Sequence, residues 1–425
     1  MSLQGLDITP VLKTLYPAKV VEDMTYNDFP LYAMLPKSME FYGLDMKSPI
    51  KHGRPQGRSA TFAQAKANKS NSKYKSFLLE RVKDYSMVDV DHEQVEASEK
   101  DMGAFVRWLK SEMDGAFETM THAMGWSVYG NNSGTIGQVE GVYASVTNAL
   151  AGTAGDGNFI KLKEVDDVVK FEVDQVLDLF SLEVGGTDID LDGAGTTLVK
   201  IASVDRENGI ISVTKTDGLA VTLLVANVVA NSFIFTDGDK EARMSGLDAW
   251  IPATAPLAGD DFFGVDRSVD PTRLAGIRVD GTGLPIEEAL TKGITTSGRE
   301  GAFFDYYFVN WKKYQELQNA LGAKVQYVKT NAYGRADIGF TGIQLTSGKR
   351  PVTVIADPMC RDKVAYGIKM DTWCLHSLKA PIRILNLDGN NLLRNNNADS
   401  SELRVGGYFQ MACTAPGKNA RVALD

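Results

Sequence analysis

The 425-residue chain has the composition of an ordinary soluble multidomain protein, with 44% hydrophobic residues, 23% charged residues and a formal net charge of −9. This acidic balance excludes binding of nucleic acid over most of the surface, because phosphate would be repelled. The longest apolar stretch, Leu219 to Phe235, is too short and too polar to span a membrane, and Cys360, Cys374 and Cys413 are too few and scattered for a disulfide framework or a zinc site.

The first 45 residues are predicted to form an interrupted arm. Pro17 breaks the helical pattern of Thr9 to Met24, and Pro30 and Pro36 impose extended backbone further on. A segment this short has little core of its own, so we expect it to pack against other elements. No basic segment followed by an apolar one opens the chain, so no secretory signal is expected, and the predicted location is a cytosol.

Residues 46–91 are predicted to form an extended basic loop. Residues 46–83 hold ten Lys and Arg against one acid, and residues 84–101 hold seven acids against one Lys. Because opposite potentials attract and orient surfaces, a natural use of the loop is to rest on the acidic face of another copy. The candidate contacts between copies are the cations Arg54, Arg58, Lys66, Lys69, Lys73 and Lys75 and the acids Asp89, Asp91, Glu93, Glu96 and Glu99.

Two alternatives remain for this basic loop. It is either a solvated loop beside an unrelated acidic helix, or an arm that binds nucleic acid. The negative charge of the rest of the chain counts against the second alternative and limits any DNA contact to a local one.

A strand from Tyr85 to Asp91 leads into the clearest helix of the sequence, assigned to residues 92–131. Ser98 opens a capping box in which Asp101 replaces the usual Glu or Gln. Roughly thirty residues at about 1.5 Å each predict a rod of roughly 45 Å, ending near Gly130. Helical spacing favours a buried core stripe over a methionine-lined binding groove. The stripe consists of Met102, Phe105, Val106, Leu109, Met113, Phe117, Met120, Met124 and Val128.

Residues 165–239 show a β pattern that predicts a small barrel or sandwich inserted as its own unit. Asn208-Gly209 predicts a two-residue hairpin between two of its strands. Two helices follow, one from Pro285 to Gly293 and one capped by Asn310 and closing at Gly322. Strands then dominate, and the clearest are Pro351 to Ala356, Ala365 to Met370 and Leu403 to Cys413.

The sequence predicts no catalytic, cofactor-binding or metal site. Gly342 to Arg350 has five residues between its glycines where a phosphate loop needs four, so a hairpin turn is favoured. Asp188 to Asp192 opens like a calcium loop, but Val199 stands where a bidentate Glu is required, which favours an acidic turn. Cys374 and His376 share one face of a strand without further ligands, as in a structural pair.

Four local stretches are similar to the major capsid proteins of tailed bacteriophages, which have the Hong Kong 97 fold. These stretches are Asn27 to Lys37, Phe308 to Trp311, Val354 to Pro358 and Ala415 to Arg421. The order of parts resembles that family over nearly the whole chain, from the arm, basic loop and long helix to the inserted β unit and strand-rich end.

The resemblance implies an α+β chain with seven regions. They are an N-terminal arm (1–45), an extended loop (46–91), a spine helix (92–131), a peripheral domain (132–164 and 240–310), an inserted β domain (165–239), an axial domain (311–402) and C-terminal strands returning to the peripheral domain (403–425). The loop would reach over a neighbouring subunit, and the axial domain would meet its copies around five- and six-fold centres. The family's cross-link between a loop Lys and an Asn is not carried over to this chain.

The function that the resemblance implies is a non-enzymatic shell protein enclosing the double-stranded DNA of a tailed phage. Its expected partners are copies of itself in hexamers and pentamers, a separate scaffolding protein, a portal, and DNA bound without sequence specificity, with no membrane. The shell would assemble in the host cytoplasm and become part of the virion. The alternatives are the shell protein of an encapsulin-like bacterial compartment and an enzyme with an unrecognised site.

Overall fold

The computed structural model describes residues 29–91, 102–321, 327–331, 339–347, 350–386, 389, 391–394 and 399–425. The chain divides into two compact units. Unit 1 comprises Met1–Tyr129 and Trp250–Asp425, and unit 2 comprises Gly130–Ala249. The predicted pattern from Thr9 to Met24 and the predicted cap at Ser98 lie outside the described residues.

The described residues include eight α-helices: α1 Pro30–Met34, α2 Phe62–Ala67, α3 Met102–Ser127, α4 Val146–Ala151, α5 Leu247–Trp250, α6 Pro271–Ala275, α7 Ile286–Arg299 and α8 Trp311–Leu321. Within this described part of the chain, no helix is both long and apolar enough to cross a membrane.

Among the described residues, strands outnumber helices. The first four are β1 Lys37–Ser38, β2 Asp45–Gly53, β3 Lys73–Glu80 and β4 Val82–Asp91. Unit 2 contains β5 Thr135–Tyr143, β6 Phe159–Leu162, β7 Val176–Phe180, β8 Leu198–Asp205, β9 Ile210–Lys215 and β10 Phe233–Thr236. The remainder are β11 Asp261–Phe262, β12 Val265–Asp266, β13 Ile277–Asp280, β14 Tyr306–Val309, β15 Tyr327–Asn331, β16 Gly339–Ser347, β17 Arg350–Ala356, β18 Val364–Ile368, β19 Trp373–Ser377, β20 Arg383–Ile384, β21 Leu392–Arg394, β22 Ser400–Cys413 and β23 Ala420–Ala423. The predicted α+β class is confirmed.

Unit 1 is built on two large sheets. One has seven strands in the order β13-β23-β18-β14-β17-β16-β15, and Leu290 and Ile294 of α7 share a buried core with Val279 and Val422 of its first two strands. The other has six strands centred on β22, which pairs with β19, β20, β21 and β4. Strand β4 runs antiparallel to β22 over its whole length, from Val82 to Asp91. The predicted strand from Tyr85 to Asp91 is therefore confirmed, and it begins three residues earlier, at Val82.

The long helix α3 spans 26 residues and ends at Ser127, slightly before the predicted stop near Gly130. At about 1.5 Å per residue its length is about 39 Å. Met113, Phe117, Met120 and Met124 are all buried, which confirms the predicted stripe in this half of the helix. The side chains of the earlier stripe positions lie outside the described residues.

Unit 2 is a closed barrel with strands in the order β10-β5-β6-β9-β8-β7. The predicted start of the β unit at residue 165 is wrong, because β5 and β6, within 132–164, close the barrel between β10 and β9. The predicted hairpin is present, but its loop has four residues, 206–209. Asp205 sets this loop by accepting hydrogen bonds from the backbone N–H groups of Glu207 and Asn208, and Gly209 adopts a φ of 65°.

The two helices predicted after the β unit are both present, as α7 and α8, but the predicted end of the first is wrong. Helix α7 continues past Gly293 to Arg299. Gly293 is a packing position, because a Cβ there would overlap the Tyr307 hydroxyl, which donates to the carbonyl of Leu290 (3.0 Å). Helix α8 begins as predicted, with the Asn310 side chain accepting a hydrogen bond from the Lys312 N–H (2.9 Å).

The buried carboxylate of Asp357 joins three of the four stretches that carried the family resemblance. Its Oδ2 accepts the backbone N–H of Leu31 in α1 (3.1 Å), and its Oδ1 accepts that of Met359 (2.9 Å). The Asp357 N–H donates to the carbonyl of Val309 (2.9 Å). Burial raises the pKa of Asp357 to about 6. These stretches therefore meet around one polar group in the interior of unit 1.

Candidate assembly surface

The basic segment is a two-stranded antiparallel ribbon, formed by β2 and β3, with residues 54–72 as its tip. The two strands form the base of the ribbon, and one face of the base is buried in the same subunit. Phe77 is fully buried, with its ring centroid 5.0 Å from that of Trp250 and 6.1 Å from that of Phe262. The Leu78 N–H donates to the carbonyl of Phe263 (2.9 Å). The base of this segment, which was predicted as an extended loop, therefore contributes to the core of its own subunit.

The tip differs from the base because almost all of its side chains are exposed. It contains the short helix α2, and its two arms are tied together where the Gln56 N–H donates to Ser70 Oγ (2.7 Å). The Phe62 ring on α2 is 84% exposed, and Tyr74, at the start of β3, is 63% exposed. Exposed aromatic side chains on a projecting ribbon are typical of a surface that is buried against a partner.

The six predicted cations all lie on or next to the tip. Arg54, Arg58, Lys66, Lys69 and Lys73 are exposed, and within the described part of the chain no ion pair joins them to an acid. Lys75 is half-buried and lies near Asp266. The pKa of Asp266 is lowered first by hydrogen bonds from Ser268 and also by the charge of Lys75. The tip thus presents positive charge that no acid among the described residues of its own subunit pairs with.

Only two of the five predicted acids lie among the described residues. Asp89 is exposed on β4, and Asp91 is the last residue of that strand. Glu93, Glu96 and Glu99 lie outside the described residues. Pairing of the tip with these acids in another copy stays a prediction.

One face of β4 forms a second exposed surface that charge counting missed. Lys83, Tyr85, Met87 and Asp89 alternate along it and are all exposed. The Tyr85 ring lies edge-on to Tyr408 of β22, with centroids 6.1 Å apart. The hydrogen bond with Tyr408 raises the pKa of Tyr85 to about 12. Polar and apolar alternation does not predict this face, because Asp84 lies on the buried side of the strand while the apolar Tyr85 and Met87 are exposed.

A groove of about 560 Å³ lies between the ribbon base and this face. Leu44, which is 86% exposed, Leu378 and Tyr408 provide apolar lining, and Glu80 and Arg81 provide charge. Arg81 also donates to the carbonyl of Phe41 (2.9 Å) and lies over its ring. The tip, the groove and the exposed face of β4 together form the assembly surface.

The two stretches that resemble a phosphate loop and a calcium loop have structural roles. Strands β16 and β17 form an antiparallel hairpin, as predicted in place of a phosphate loop. In the acidic turn, Asp190 accepts the N–H groups of Gly193 and Gly195. Asp192 pairs with Lys215 (2.9 Å), and its pKa lies well below its usual value because Thr196 and Lys215 donate to it. The Asp190 and Asp192 carboxylates are therefore engaged by groups of the turn and by Lys215 of β9.

The predicted pair Cys374 and His376 lies in the interior of strand β19. Burial raises the pKa of the Cys374 thiol to about 11 and lowers that of His376. Within the described residues, no group of three His, Cys, Asp or Glu is arranged to hold a metal ion.

No family model matches the sequence, and no curated protein is similar to it. Among solved structures, the chain is similar to one from the cyanophage A-1(L) capsid asymmetric unit, with a TM-score of 0.48, 12% identity and 93% of each chain covered. It is also similar to a chain of the native GTA particle capsid (TM-score 0.44, 8% identity, 94% and 90% covered) and of the satellite phage P4 procapsid (TM-score 0.38, 8% identity, 96% and 91% covered). Each similarity extends over nearly the whole of both chains.

Proposed function

We propose that this chain is the major shell subunit of a tailed bacteriophage capsid. The proposal rests on the contrast between the two ends of the ribbon. Its base is fixed in its own subunit by Phe77, while its tip projects Phe62 and five exposed cations that find no acid among the described residues. A ribbon with an anchored base and an exposed, positively charged tip is suited to contact a neighbouring subunit.

The partner is a further copy of the same chain. A tip that fits a different region of an identical subunit makes a heterologous contact, and such contacts close into rings when the rotation permits. Hexamers and pentamers of this subunit would then build a closed shell. The motifs around Asp357 support the same assignment, because they carried the family resemblance and lie together in the interior.

The proposal includes the finer expectations that follow from the family. A separate scaffolding protein guides assembly in the host cytoplasm, a portal occupies one vertex, and double-stranded DNA fills the shell without sequence-specific contacts. The chain itself would catalyse no reaction.

The test is electron microscopy and sedimentation of the purified chain, alone and co-expressed with the neighbouring genes of its genome. Closed shells of uniform diameter are the expected result. Only monomers at high concentration under both conditions would contradict the proposal. Shells that enclose an enzyme and no DNA would assign the chain to a bacterial compartment.

A matched variant tests the role of the ribbon. Phe62→Asp removes the exposed ring from the tip and leaves the base untouched, so the subunit should keep its melting temperature and lose shell formation. Phe62→Leu keeps an apolar side chain at the same position and should restore shells. Normal shells from Phe62→Asp would show that the tip does not contact a neighbour.

A further inference from the structure

The turn between β1 and β2 exposes three large apolar side chains. Met39, Tyr42 and Leu44 are 50%, 73% and 86% exposed, whereas Phe41 between them is fully buried. The Phe41 N–H donates to the carbonyl of Ser377 (3.2 Å), which fixes the turn on its own subunit. An apolar surface that is held in place before binding loses little conformational entropy when a partner covers it. The turn therefore has the properties of a preformed docking surface.

The groove beside this turn is large enough to receive an aromatic side chain. Leu44 reaches into its lining, together with the apolar surfaces of Leu378 and Tyr408. Its volume is about 560 Å³, whereas a cavity of about 150 Å³ is enough to hold benzene. Aromatic side chains that fill pockets of this kind carry much of the binding energy of protein interfaces.

The groove also holds two carboxylates that need a cation. Asp45 on β2 and Glu80 on β3 both line it, and they stand directly opposite each other in the ribbon. Like charges in this arrangement destabilise a pair of strands. Arg81 and Lys83 line the groove as well, but among the described residues no ion pair joins either base to the two acids. A base supplied from outside the subunit would relieve the repulsion.

The tip of the ribbon presents the two groups that this groove lacks. Phe62 and Lys66 lie four positions apart on α2, so they project from the same face of the helix. The Phe62 ring is 84% exposed, and Lys66 is exposed without an acid partner among the described residues. An aromatic anchor next to a cation matches an apolar groove next to two carboxylates.

The tip cannot fill the groove of its own subunit. Strand β2 spans nine residues from Asp45 to Gly53, and at about 3.4 Å per residue it places the tip about 27 Å from Asp45. The bond from the Gln56 N–H to Ser70 Oγ ties the two arms of the tip together and keeps it from folding back. The occupant of the groove must therefore come from another molecule.

We propose that Phe62 of one copy enters the groove of a neighbouring copy, and that Lys66 pairs there with Asp45 or Glu80. The inference rests on the proposed function and names the surface that receives the tip. Each subunit then gives one tip and receives another, which is the head-to-tail contact from which rings of subunits close.

The first test cross-links assembled shells. Lys66→Cys and Asp45→Cys in one chain place a thiol on each side of the contact and leave Phe62 and Leu44 intact. The native background is low, because Cys360 and Cys413 are buried and burial raises the pKa of the Cys374 thiol to about 11. The reagent is a bifunctional maleimide with a short spacer. Denaturing gels should show covalent dimers and larger oligomers from the double variant and monomers from each single variant.

The matched control combines Lys66→Cys with Leu257→Cys, since Leu257 is 77% exposed in unit 1 and does not line the groove. It should yield monomers. Equal oligomer yields from both pairs would overturn the inference, as would monomers alone from double-variant shells whose thiols react fully with a monofunctional maleimide. Absence of shells from the wild-type chain would overturn the proposed function instead, so the two failures are distinguishable.

The second test needs no shells, so it remains decisive if the double variant does not assemble. Phe62→Asp removes the anchor and Leu44→Asp alters the groove, so a mixture of the two subunits retains one intact tip and one intact groove. With Lys66→Cys added to the Leu44→Asp subunit and Asp45→Cys added to the Phe62→Asp subunit, the reagent should trap dimers and nothing larger. Neither subunit alone should cross-link. An equal dimer yield when both subunits carry Phe62→Asp, or no dimers from the mixture, would show that Phe62 does not enter the groove.

Discussion

The base and the tip of the ribbon are continuous in sequence and opposite in structure. Both belong to the basic segment 46–83, yet the base buries Ile50, Phe77 and Leu79 in its own subunit, whereas the tip exposes Phe62. The difference lies in the spacing of apolar residues, since Phe77 and Leu79 alternate as in a half-buried strand and Phe62 stands alone. One segment can thus serve as an anchor at one end and as a contact for another molecule at the other.

The largest expected effect separates base from tip by stability. Phe77→Ala removes a fully buried ring from the cluster with Trp250 and Phe262, so the free energy of unfolding should fall by about 3–5 kcal/mol. Phe62→Ala is the matched control, and its effect should stay within about 0.5 kcal/mol because the ring is exposed. Urea denaturation of unassembled subunits measures both. Similar losses for the two variants would remove the distinction between base and tip.

The next effect concerns assembly. Replacing Arg54, Arg58, Lys66 and Lys69 of the tip by Glu should lower shell yield while leaving the subunit's melting temperature unchanged. Each exposed pair contributes about 0–1 kcal/mol, so four together are expected to weaken each contact by about 2 kcal/mol, or about 30-fold. A single reversal should be tolerated.

The control for this variant exchanges Lys and Arg at the same four positions and keeps the charge. It should assemble as wild type does in the sedimentation assay. Normal shells from the Glu variant would mean that the basic tip is merely solvated.

A smaller effect is expected where base and tip join. A Cβ at Gly53 would collide with the Lys73 side chain, so Gly53→Ala should shift the strand ends at a cost of about 1 kcal/mol. Hydrogen exchange should accelerate in residues 54–72 and stay unchanged at Phe77 and Leu79. Equal acceleration along the whole ribbon would show that it moves as one unit.

Salt should have the smallest effect and act on the tip alone. Raising the ionic strength from physiological to 1 M shortens the Debye length from about 8 Å to about 3 Å, which weakens attraction between exposed charges. Light scattering should show a slower initial rate of assembly, while unfolding of the unassembled subunit changes little. A rate that is independent of salt would count against charge pairing between tip and neighbour.

Features set by local sequence were predictable. The buried stripe of α3 follows from apolar spacing around Met113 and Met120, and the start of α8 follows from Asn310 as its cap. Closure of the barrel was missed, because β6 has only four residues and gains its identity by pairing with β5 and with β9, which begins about 50 positions further along the chain. Pairing of this kind leaves little trace in local periodicity.

The sequence predicted one part of the candidate assembly surface, the cations of the tip, and missed the buried base and the exposed face of β4. The excess of Lys and Arg in residues 46–83 predicted the cations of the tip, because a cluster of exposed charges can be read from the sequence without knowing any tertiary contact. The burial of Phe77 depends on Trp250, about 170 positions later, and the composition of the ribbon itself gave no sign of it. The exposed face of β4 was not predicted, because strand alternation would place the apolar Tyr85 and Met87 on the buried side.

The pairing of β4 with β22 sets an order of events during synthesis. Strand β4 ends at Asp91 and its partner begins at Ser400, so the ribosome adds about 310 residues before the two can meet. At about 5–20 residues per second this takes about 15–60 s. Throughout that interval the strand that follows the ribbon has no sheet to join. The assembly surface is therefore finished only when the final strands emerge, which delays contact between nascent subunits until each has nearly been made.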